Sequence, residues 1–393
     1  MLYAVNLWFK PIYTGESDEV NRGSLGTAKR LGRVQRLAAI NITGALRTTA
    51  TDAAEAHAKL IPIAQHAQTL CHKVVLRLAA HPSTHPLHSL IRWAAKCDVK
   101  HHRSSLHNLT HSFQLDPTKI ETVTPACRAP TSTTPYTTHI ADDKNKSIHE
   151  HDNIKTGTKV YSDGSGKKGK IGASAVLYRT GCDPRILCYH LGTEKEHTVY
   201  EAEAIGMSLA AQLLLTEREL ELPINIFVDN QAAIKSGDVS ISKPGYYLIE
   251  HFSRLIRAIR KKHQCTSEDI TVRWVTGHKD IEGNEKADVE AKKAADNIRN
   301  TSARKRLPHF LREDRLPLSI LALLQNQKKI ETNRWQRSWA SSPRYSHLSK
   351  IDCKLLTGSF LQLTTSLTRK QSALLIWLCT KHAPLNAHLH RIK

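Results

Sequence analysis

Four carboxylates in the middle of this chain stand where they could meet in a folded structure: Asp163, Glu203, Asp229 and Asp288. Asp163 and Asp229 come directly after short β-type runs, whereas the other two come early in stretches with helical apolar spacing. His278 precedes the last carboxylate by ten residues. The pattern predicts a site that holds divalent metal against a phosphate.

Clusters of carboxylates suit magnesium, which binds through a few such groups together with substrate phosphates. Two ions about 3.5–4 Å apart can activate a water molecule and stabilise the leaving oxygen of one in-line displacement. Crowded carboxylates repel one another, so the proton affinity of at least one should rise until metal neutralises the group. We therefore expect two Mg²⁺ ions, with Mn²⁺ as a substitute, and no small-molecule cofactor. Taken singly, Glu203 or Asp288 would be interpreted as an ordinary acid near a helix start.

Alternating β-type and helical segments must position these side chains. Apolar and β-branched runs predict five strands, at residues 159–162, 171–178, 186–191, 224–228 and 271–275. Helical apolar spacing predicts helices at 200–215, from 232 to 235, at 246–262 and at 284–297. Three strands followed by strands that alternate with helices indicate an α/β fold, with a sheet of about five strands and helices against it.

The net charge of +21 is unevenly distributed along the chain. Residues 1–154 carry +6, residues 155–298 carry +1 and residues 299–393 carry +14. Basic flanks around a near-neutral centre favour a polyanionic partner, because phosphate contacts release counterions. The alternative is a solvated basic surface without a partner.

Other features of the composition indicate an intracellular globular protein. No stretch of the sequence reaches the roughly 18 apolar residues that a bilayer span requires, so we expect no membrane partner. The first ten residues lack a basic region and a cleavage site of small residues, and we therefore expect no secretory signal. The eight cysteines never occur as Cys-x-x-Cys and are interpreted as reduced thiols.

Composition divides the chain into four segments: a mostly helical segment (1–115), a linker rich in Thr and Pro (116–157), a folded domain (158–298) and a basic helical segment (299–393). Helices are expected at 29–49 and 53–78 in the first segment. The linker is expected to be disordered or extended. In the last segment, Trp335 and Trp339 are interpreted as core residues rather than as a platform for stacking bases.

Four motifs, in order, resemble those of type 1 ribonuclease H: Tyr-Ser-Asp163-Gly-Ser, Tyr200-Glu-Ala-Glu203, Phe-Val-Asp229-Asn-Gln, and Trp-Val-x-Gly-His278-x-x-Ile-x-Gly-Asn-Glu-x-Ala-Asp288. The resemblance covers roughly residues 155–298. Within that family, the sequence is similar to the domain carried by non-LTR (LINE-like) retrotransposon polyproteins.

The flanking segments resemble parts of the same elements. Residues 33–47 are similar to the segment that follows their reverse transcriptase, and residues 367–375 and 384–390 are similar to the stretch before a Cys/His knuckle. The sequence contains no Tyr/Phe-x-Asp-Asp polymerase motif, and it ends before any knuckle. The resemblance is therefore to a piece of a polyprotein that lacks the polymerase.

The resemblance implies a ribonuclease H-like mixed five-stranded sheet, with helical terminal segments. It also implies that the catalytic metal ligands are Asp163, Glu203, Asp229 and Asp288. His278 would be a mobile auxiliary that helps water to attack or product to leave. Glu201 is the rival for the helical glutamate, but Ala-Glu203 followed by an apolar helix is closer to the family pattern.

The implied partner is an RNA–DNA hybrid, whose recognition requires contacts with 2′-hydroxyls on one strand and with backbone shape on the other. Gln231 and Asn284 match positions that touch the hybrid or brace the site. Gly164 and Gly166 could let the main chain approach the RNA strand closely. Nothing in the pattern implies recognition of particular bases.

The leading hypothesis is an endonuclease that hydrolyses the RNA strand of RNA–DNA hybrids by two-metal-ion catalysis. The alternative is a catalytically silent nucleic-acid-binding retrotransposon remnant, but the intact acids and His278 argue against it, because a drifting copy would be free to lose them. A third hypothesis is a transposase or resolvase on the same fold, against which the Gly-Asn-Glu-x-Ala-Asp288 motif argues. The life cycle of such elements favours the nucleus, and the oligomeric state stays open.

Overall fold

The computed structural model describes residues 2–14, 21–97, 99, 103–124, 133–179, 181–237, 243–277, 281–312, 315–383 and 390. The chain divides into two units. The terminal unit comprises Met1–Leu78, Ser89–Asp116 and Gln327–Lys393, and the sheet unit comprises Ala79–His88 and Pro117–Asn326.

The strands among the described residues are Tyr13–Thr14 (β1), Asn21–Arg22 (β2), Thr137–His139 (β3), Thr158–Lys167 (β4), Lys170–Arg179 (β5), Cys182–Thr193 (β6), Ile224–Val228 (β7) and Ile270–Trp274 (β8).

The α-helices among the described residues are Val5–Trp8 (α1), Leu25–Thr43 (α2), Thr51–His57 (α3), Ile63–Ala79 (α4), Leu87–Lys96 (α5), Ser105–Ser112 (α6), Lys144–Asn153 (α7), Val199–Thr216 (α8), Gln231–Ser236 (α9), Tyr246–His263 (α10), Glu282–Asp296 (α11), Ile320–Ala340 (α12), Tyr345–Ile351 (α13), Ser359–Thr364 (α14) and Arg369–Cys379 (α15). Short 3-10 turns occur at Ile298–Asn300, Arg304–Arg306, His309–Leu311 and Leu355–Thr357. Within this described part of the chain, none of the helices is both long and apolar enough to cross a bilayer.

The sheet unit is built on a mixed sheet of six strands in the order β3-β8-β7-β4-β5-β6. Neighbours among β4, β5 and β6 are antiparallel, whereas β4, β7, β8 and β3 are joined by parallel pairing. Every residue of β7 is buried, which fits an interior parallel strand that is covered on both faces. The predicted α/β fold with flanking helices is confirmed, with six strands in place of five.

Neighbouring residues of β4 reach different cores on the two faces of the sheet. Val160 packs in the larger core, which includes residues of α8 and α10, and Tyr161 packs in the smaller core with Ile281 and Ala287. Successive side chains of β4 alternate between the two faces because a strand has a two-residue period. The helices α8 and α11 therefore lie on opposite faces of the sheet, and both contact β4.

The second part of the predicted linker is folded into the sheet unit. β3 pairs in parallel with β8, and the hydroxyls of Thr137 and Thr271 lie 2.9 Å apart. Asp143 caps α7, because its side chain accepts a hydrogen bond from the Lys146 N–H. The prediction of a linker over 116–157 is therefore wrong for the strand and the helix. A three-residue strand is too short to show a period of two, and its threonines match the composition of a linker.

Glu121 ties the earlier part of the same segment into the sheet unit. Its buried carboxylate accepts hydrogen bonds from the N–H of Gly245, at the start of α10, and from the N–H of Ile320, at the start of α12. The neighbouring Ile120 forms a parallel bridge with Leu318. The carboxylate thus satisfies backbone donors that helix N-termini leave without intrahelical partners.

The sheet unit also continues beyond the predicted boundary at residue 298 and reaches Asn326. The Ser302 N–H donates to the Cys188 carbonyl oxygen, and the Cys188 N–H donates to the Ser302 hydroxyl, both at 2.9 Å. Leu307 and Leu311 are buried in the larger core. This segment covers part of the edge strand β6 and satisfies backbone groups that a sheet edge leaves open.

The terminal unit combines the two ends of the chain in one core. Ala53 and Ala56 of α3 pack in a cluster with Trp335, Trp339 and Phe360. The two tryptophans are 6% and 4% exposed, which confirms their interpretation as core residues. Segments that were predicted separately therefore pack together, because the apolar faces of short helices need partners wherever in the chain those partners lie.

The helix predicted at 53–78 is divided into α3 and α4. α3 ends at His57, Lys59 has a positive φ of 53°, and Pro62 comes directly before α4. A proline disfavours helical conformation in the residue before it, and it is well tolerated at the start of a helix. Apolar spacing continues through the break, which is why it predicted one helix.

Candidate active site

Parallel pairing of β4 with β7 brings the first two carboxylates to one edge of the sheet. Asp163 lies in β4 directly after Ser162, whose partner Val228 ends the pairing with β7. Asp229 is the next residue after Val228. β4 continues to Lys167, beyond the predicted end of the strand, so Asp163 is held within a strand rather than following one.

The start of α8 separates the roles of the two candidate glutamates. Glu201 forms a capping box with Thr198: its carboxylate accepts the Thr198 N–H at 2.8 Å, and the Thr198 hydroxyl accepts the Glu201 N–H at 3.2 Å. Such a box satisfies N–H groups at the helix start. Glu203 lies two residues further on, at 4% exposure, and faces the aspartates. The geometry groups Glu203, and not Glu201, with Asp163 and Asp229.

Three of the four predicted carboxylates converge. One oxygen from each of Asp163, Glu203 and Asp229 lies within 4.8 Å of the other two. Asp288, on α11, is outside this group but lines the same cleft. Carboxylate oxygens are the ligands that hard divalent cations prefer.

The cleft has a volume of about 550 Å³, and its lining includes Asp163, Gly164, Ser165, Gly166, Val199, Glu203, Asp229, Asn284, Asp288 and Lys292. Of the predicted nucleic-acid contacts, Gly164, Gly166 and Asn284 are thus part of it. Gln231 is half-buried at the start of α9 and is absent from the described lining of the cleft. His278 lies outside the described residues.

Gly164 allows α8 to lie directly against β4. A Cβ at this position would be 2.3 Å from the Glu203 backbone nitrogen and 2.6 Å from the Ala202 carbonyl carbon. Gly206 makes a second close approach, where a Cβ would be 3.0 Å from the Asp163 carbonyl oxygen. The glycine after Asp163 therefore has a packing role between β4 and α8, and its approach to RNA stays a prediction.

Burial and crowding raise the pKa values of the converging carboxyls. For Asp163, burial and the charges of Asp229 and Asp288 raise the pKa to about 7, against the opposing effects of the Lys292 charge and the Gly164 N–H. For Glu203, burial and the two aspartates of the group raise the pKa well above its ordinary value. The carboxylates of the site therefore carry more negative charge than the neighbouring cations and hydrogen-bond donors compensate.

Two buried carboxylate oxygens show whether a metal ion fits this site. Asp163 Oδ2 and Glu203 Oε2 are buried and have no hydrogen-bond partner among the described residues. An uncompensated buried carboxylate oxygen is costly, and a cation compensates it. The all-oxygen donor set and the raised pKa values fit Mg²⁺ or Mn²⁺.

Asp288 differs from the group of three because a cationic side chain already holds it. The Lys292 Nζ donates to Asp288 Oδ2 at 2.6 Å, one turn further along α11. Both side chains line the cleft. The fourth predicted ligand is therefore part of an ion pair.

Asn230 and Lys292 act on the predicted carboxylates, and neither was predicted from the sequence as a site residue. Asn230 lowers the pKa of Glu203 against the larger effect of burial, and it caps α9 by accepting the N–H groups of Ala232 and Ala233. An Asn between a strand end and a helix start is a recognisable cap, and this signal could have identified it. The role of Lys292 could be anticipated only from its four-residue spacing to Asp288.

Residues 155–296 match the family model of RNase H. This part of the chain is an RNase H domain. The match begins within three residues of β4 and ends at the last residue of α11. It contains all four predicted ligands, together with Asn230 and Lys292.

Three solved structures that are similar to part of this chain are also of proteins named RNase H. RNase H1 from the halophilic archaeon Halobacterium salinarum NRC-1 is 17% identical, with a TM-score of 0.26 and coverage of 35% of this chain and 97% of that chain. LC11-RNase H1 in complex with RNA/DNA hybrid is 16% identical, with a TM-score of 0.28 and coverage of 35% and 96%. The PFV RNase H domain is 17% identical, with a TM-score of 0.26 and coverage of 37% and 94%. No match was found among curated proteins.

Proposed function

We propose that the RNase H domain hydrolyses the RNA strand of RNA–DNA hybrids, with Asp163, Glu203, Asp229 and Asp288 holding two divalent metal ions. The observation that carries the proposal is the convergence of three carboxylates within 4.8 Å, two of which have buried oxygens without described partners. When bound, magnesium would supply activation of the attacking water and stabilisation of the leaving oxygen.

The protein's own contribution is to hold the ligands in place before metal and substrate arrive. Asp163 is held in β4 by its pairing with Ser174 of β5, one residue beyond the end of the pairing with β7, and Glu203 is held on a buried helix. The Asn230 side chain and the Gly164 N–H lower the pKa of Glu203 against the larger effects of burial and the two aspartates, and so favour its charged form. Preorganised ligands avoid a cost of rearrangement during the reaction.

His278 is proposed as the group that takes up or releases a proton during water attack and product departure. It directly follows Gly277, which lies beside Asp229: a Cβ at Gly277 would be 3.2 Å from Asp229 Oδ2. The chain therefore enters the segment that contains His278 next to the carboxylate group. The position of Gly277 supports the proposed role of His278 in proton transfer.

Binding of the hybrid is proposed to involve Gly164, Gly166 and Asn284 in the cleft, and Gln231 beside it. Asn284 is 4% exposed, and its Oδ1 has no hydrogen-bond partner among the described residues. We also propose, from the sequence resemblance of the flanks alone, that the chain derives from a non-LTR retrotransposon polyprotein that acts in the nucleus.

The test is cleavage by the purified full chain, in magnesium, of a labelled RNA–DNA hybrid beside an RNA duplex and a DNA duplex. We expect cuts in the RNA strand of the hybrid alone, and none when EDTA replaces magnesium. Cleavage of the DNA duplex would instead favour a transposase or resolvase activity. Binding of the hybrid without cleavage would favour the catalytically silent remnant.

A further inference from the structure

Lys292 occupies a position that the proposed function leaves unexplained. Its Nζ lies 2.6 Å from Asp288 Oδ2, and its side chain lines the carboxylate cleft. Its positive charge also acts on Asp163, whose pKa it lowers against the larger effects of burial and neighbouring acids. One lysine thus interacts with two of the four proposed ligands.

The ion pair distinguishes Asp288 from the other ligands. Asp163 and Glu203 each have a buried oxygen without a described partner, whereas Asp288 already has a cation. The Asp288 side chain is 22% exposed and that of Lys292 is 43% exposed, so the lysine has solvent to move into. An ammonium that neutralises a carboxylate reduces the attraction of that carboxylate for a second cation.

We propose that Lys292 competes with divalent metal for Asp288 and must leave this carboxylate before it can serve as a ligand. The inference rests on the proposed function, because it assumes that Asp288 binds metal. Positive charge brought to Asp163, Glu203 and Asp229 repels the Lys292 ammonium and favours its departure. Metal binding is therefore ordered: the group of three is occupied first, and Asp288 joins only after Lys292 has been displaced.

Calorimetric titration of the full chain with magnesium, without nucleic acid, tests this order. Lys292→Met should tighten the weaker metal-binding step by roughly tenfold, because a full charge is removed beside the ligand. Lys292→Arg keeps the charge and should not tighten binding. Lys293→Met is the matched control, since Lys293 carries the same charge on the same helix but pairs with Glu290 at 2.7 Å and is absent from the described lining of the cleft.

Thermal unfolding provides a second measurement that does not depend on activity. Without metal, Lys292→Met should melt below the parent, because Asp288 loses its cation; saturating magnesium should reduce this difference. Identical titrations for Lys292→Met and Lys293→Met would overturn the inference, and so would weaker metal binding by Lys292→Met, which would make the lysine a positioning residue. A parent chain that binds no magnesium would overturn the proposed function as well, which distinguishes the two failures.

Discussion

At the scale of single residues, substitution of Asp229 is the most direct test of the proposed metal site. It follows a fully buried strand and shares the group of three with Asp163 and Glu203. Asp229→Asn keeps the size of the side chain and removes the charge, so we expect a folded protein that no longer cleaves hybrid in magnesium. Circular dichroism and a cleavage assay check the two parts. Cleavage at the parental rate would remove Asp229 from the ligands.

His278 is expected to affect turnover without affecting metal binding. A histidine with a pKa near neutrality can donate and accept protons at physiological pH, and loss of such a group slows reactions by about 10²-fold at the low end. His278→Ala should therefore reduce turnover by roughly this factor, with little change in hybrid or magnesium affinity. The comparison is made well below the melting temperature. A folded variant with parental turnover would exclude the histidine from the mechanism.

Asp163 should make the metal-free protein less stable as the pH rises. Burial, together with Asp229 and Asp288, raises its pKa from 3.8 to about 7, so between these values the folded state holds a proton that the unfolded state has released. The contribution of this group to stability is complete below pH 3.8 and declines towards about pH 7. Asp163→Asn should flatten the decline, as measured by chemical unfolding in EDTA at several pH values. Parallel curves for the two proteins would contradict the assignment.

At the scale of elements, the contact between β4 and α8 decides where Glu203 lies. Gly164→Ala would place a methyl group 2.3 Å from the Glu203 nitrogen, so the helix must move away from the strand. We expect a loss of about 1–3 kcal/mol of stability, the usual cost of overpacking. Weaker magnesium binding should accompany it, as measured by calorimetry.

Gly32→Ala is the control for this substitution. Gly32 lies inside α2, and a Cβ there would meet nothing within 4 Å. This change should leave magnesium binding intact and stabilise the helix by about 0.5–1 kcal/mol. If Gly164→Ala bound magnesium like the parent, the glycine would not position the ligand.

At the scale of the whole molecule, charge is concentrated in the terminal unit. Its sequence carries 26 lysines and arginines against nine aspartates and glutamates, a net charge of +17 out of +21. Lys328, Arg334 and Arg337 are exposed on one helix, α12. Each phosphate contact that is lost reduces the slope of log affinity against log salt concentration by about 0.9 in magnitude.

Replacing these three residues of α12 with glutamine should weaken hybrid binding and flatten its salt dependence, while turnover at saturating substrate persists. Replacement of Lys144, Lys155 and Arg218, which are exposed on the sheet unit, is the control. Equal salt slopes for the α12 variant and the parent would show that this helix does not contact nucleic acid. Substitution is preferable to deletion of residues 299–393, because deletion would remove Leu307 and Leu311 from the core of the sheet unit.

The sequence by itself determined the local features of this protein. It predicted β7 to the residue, because this strand is a continuous apolar run that is fully buried. It predicted α8 and α10 to within one residue at each end, because their periodic apolar patterns are long. It also identified the carboxylates that line the cleft, since the motifs around them contain strand ends and helix starts. These are properties that a short stretch of chain carries alone.

Only the tertiary structure decided what depends on distant partners. β3 exists because β8 pairs with it, and the shared core of the terminal unit exists because α3 and Trp335 meet from opposite ends of the chain. The structure also separated Glu201, which caps a helix, from Glu203, which joins the carboxylate group. Pairing and packing across long separations leave no local period, so the residues involved look like linker, isolated helix or interchangeable acids until the chain is folded.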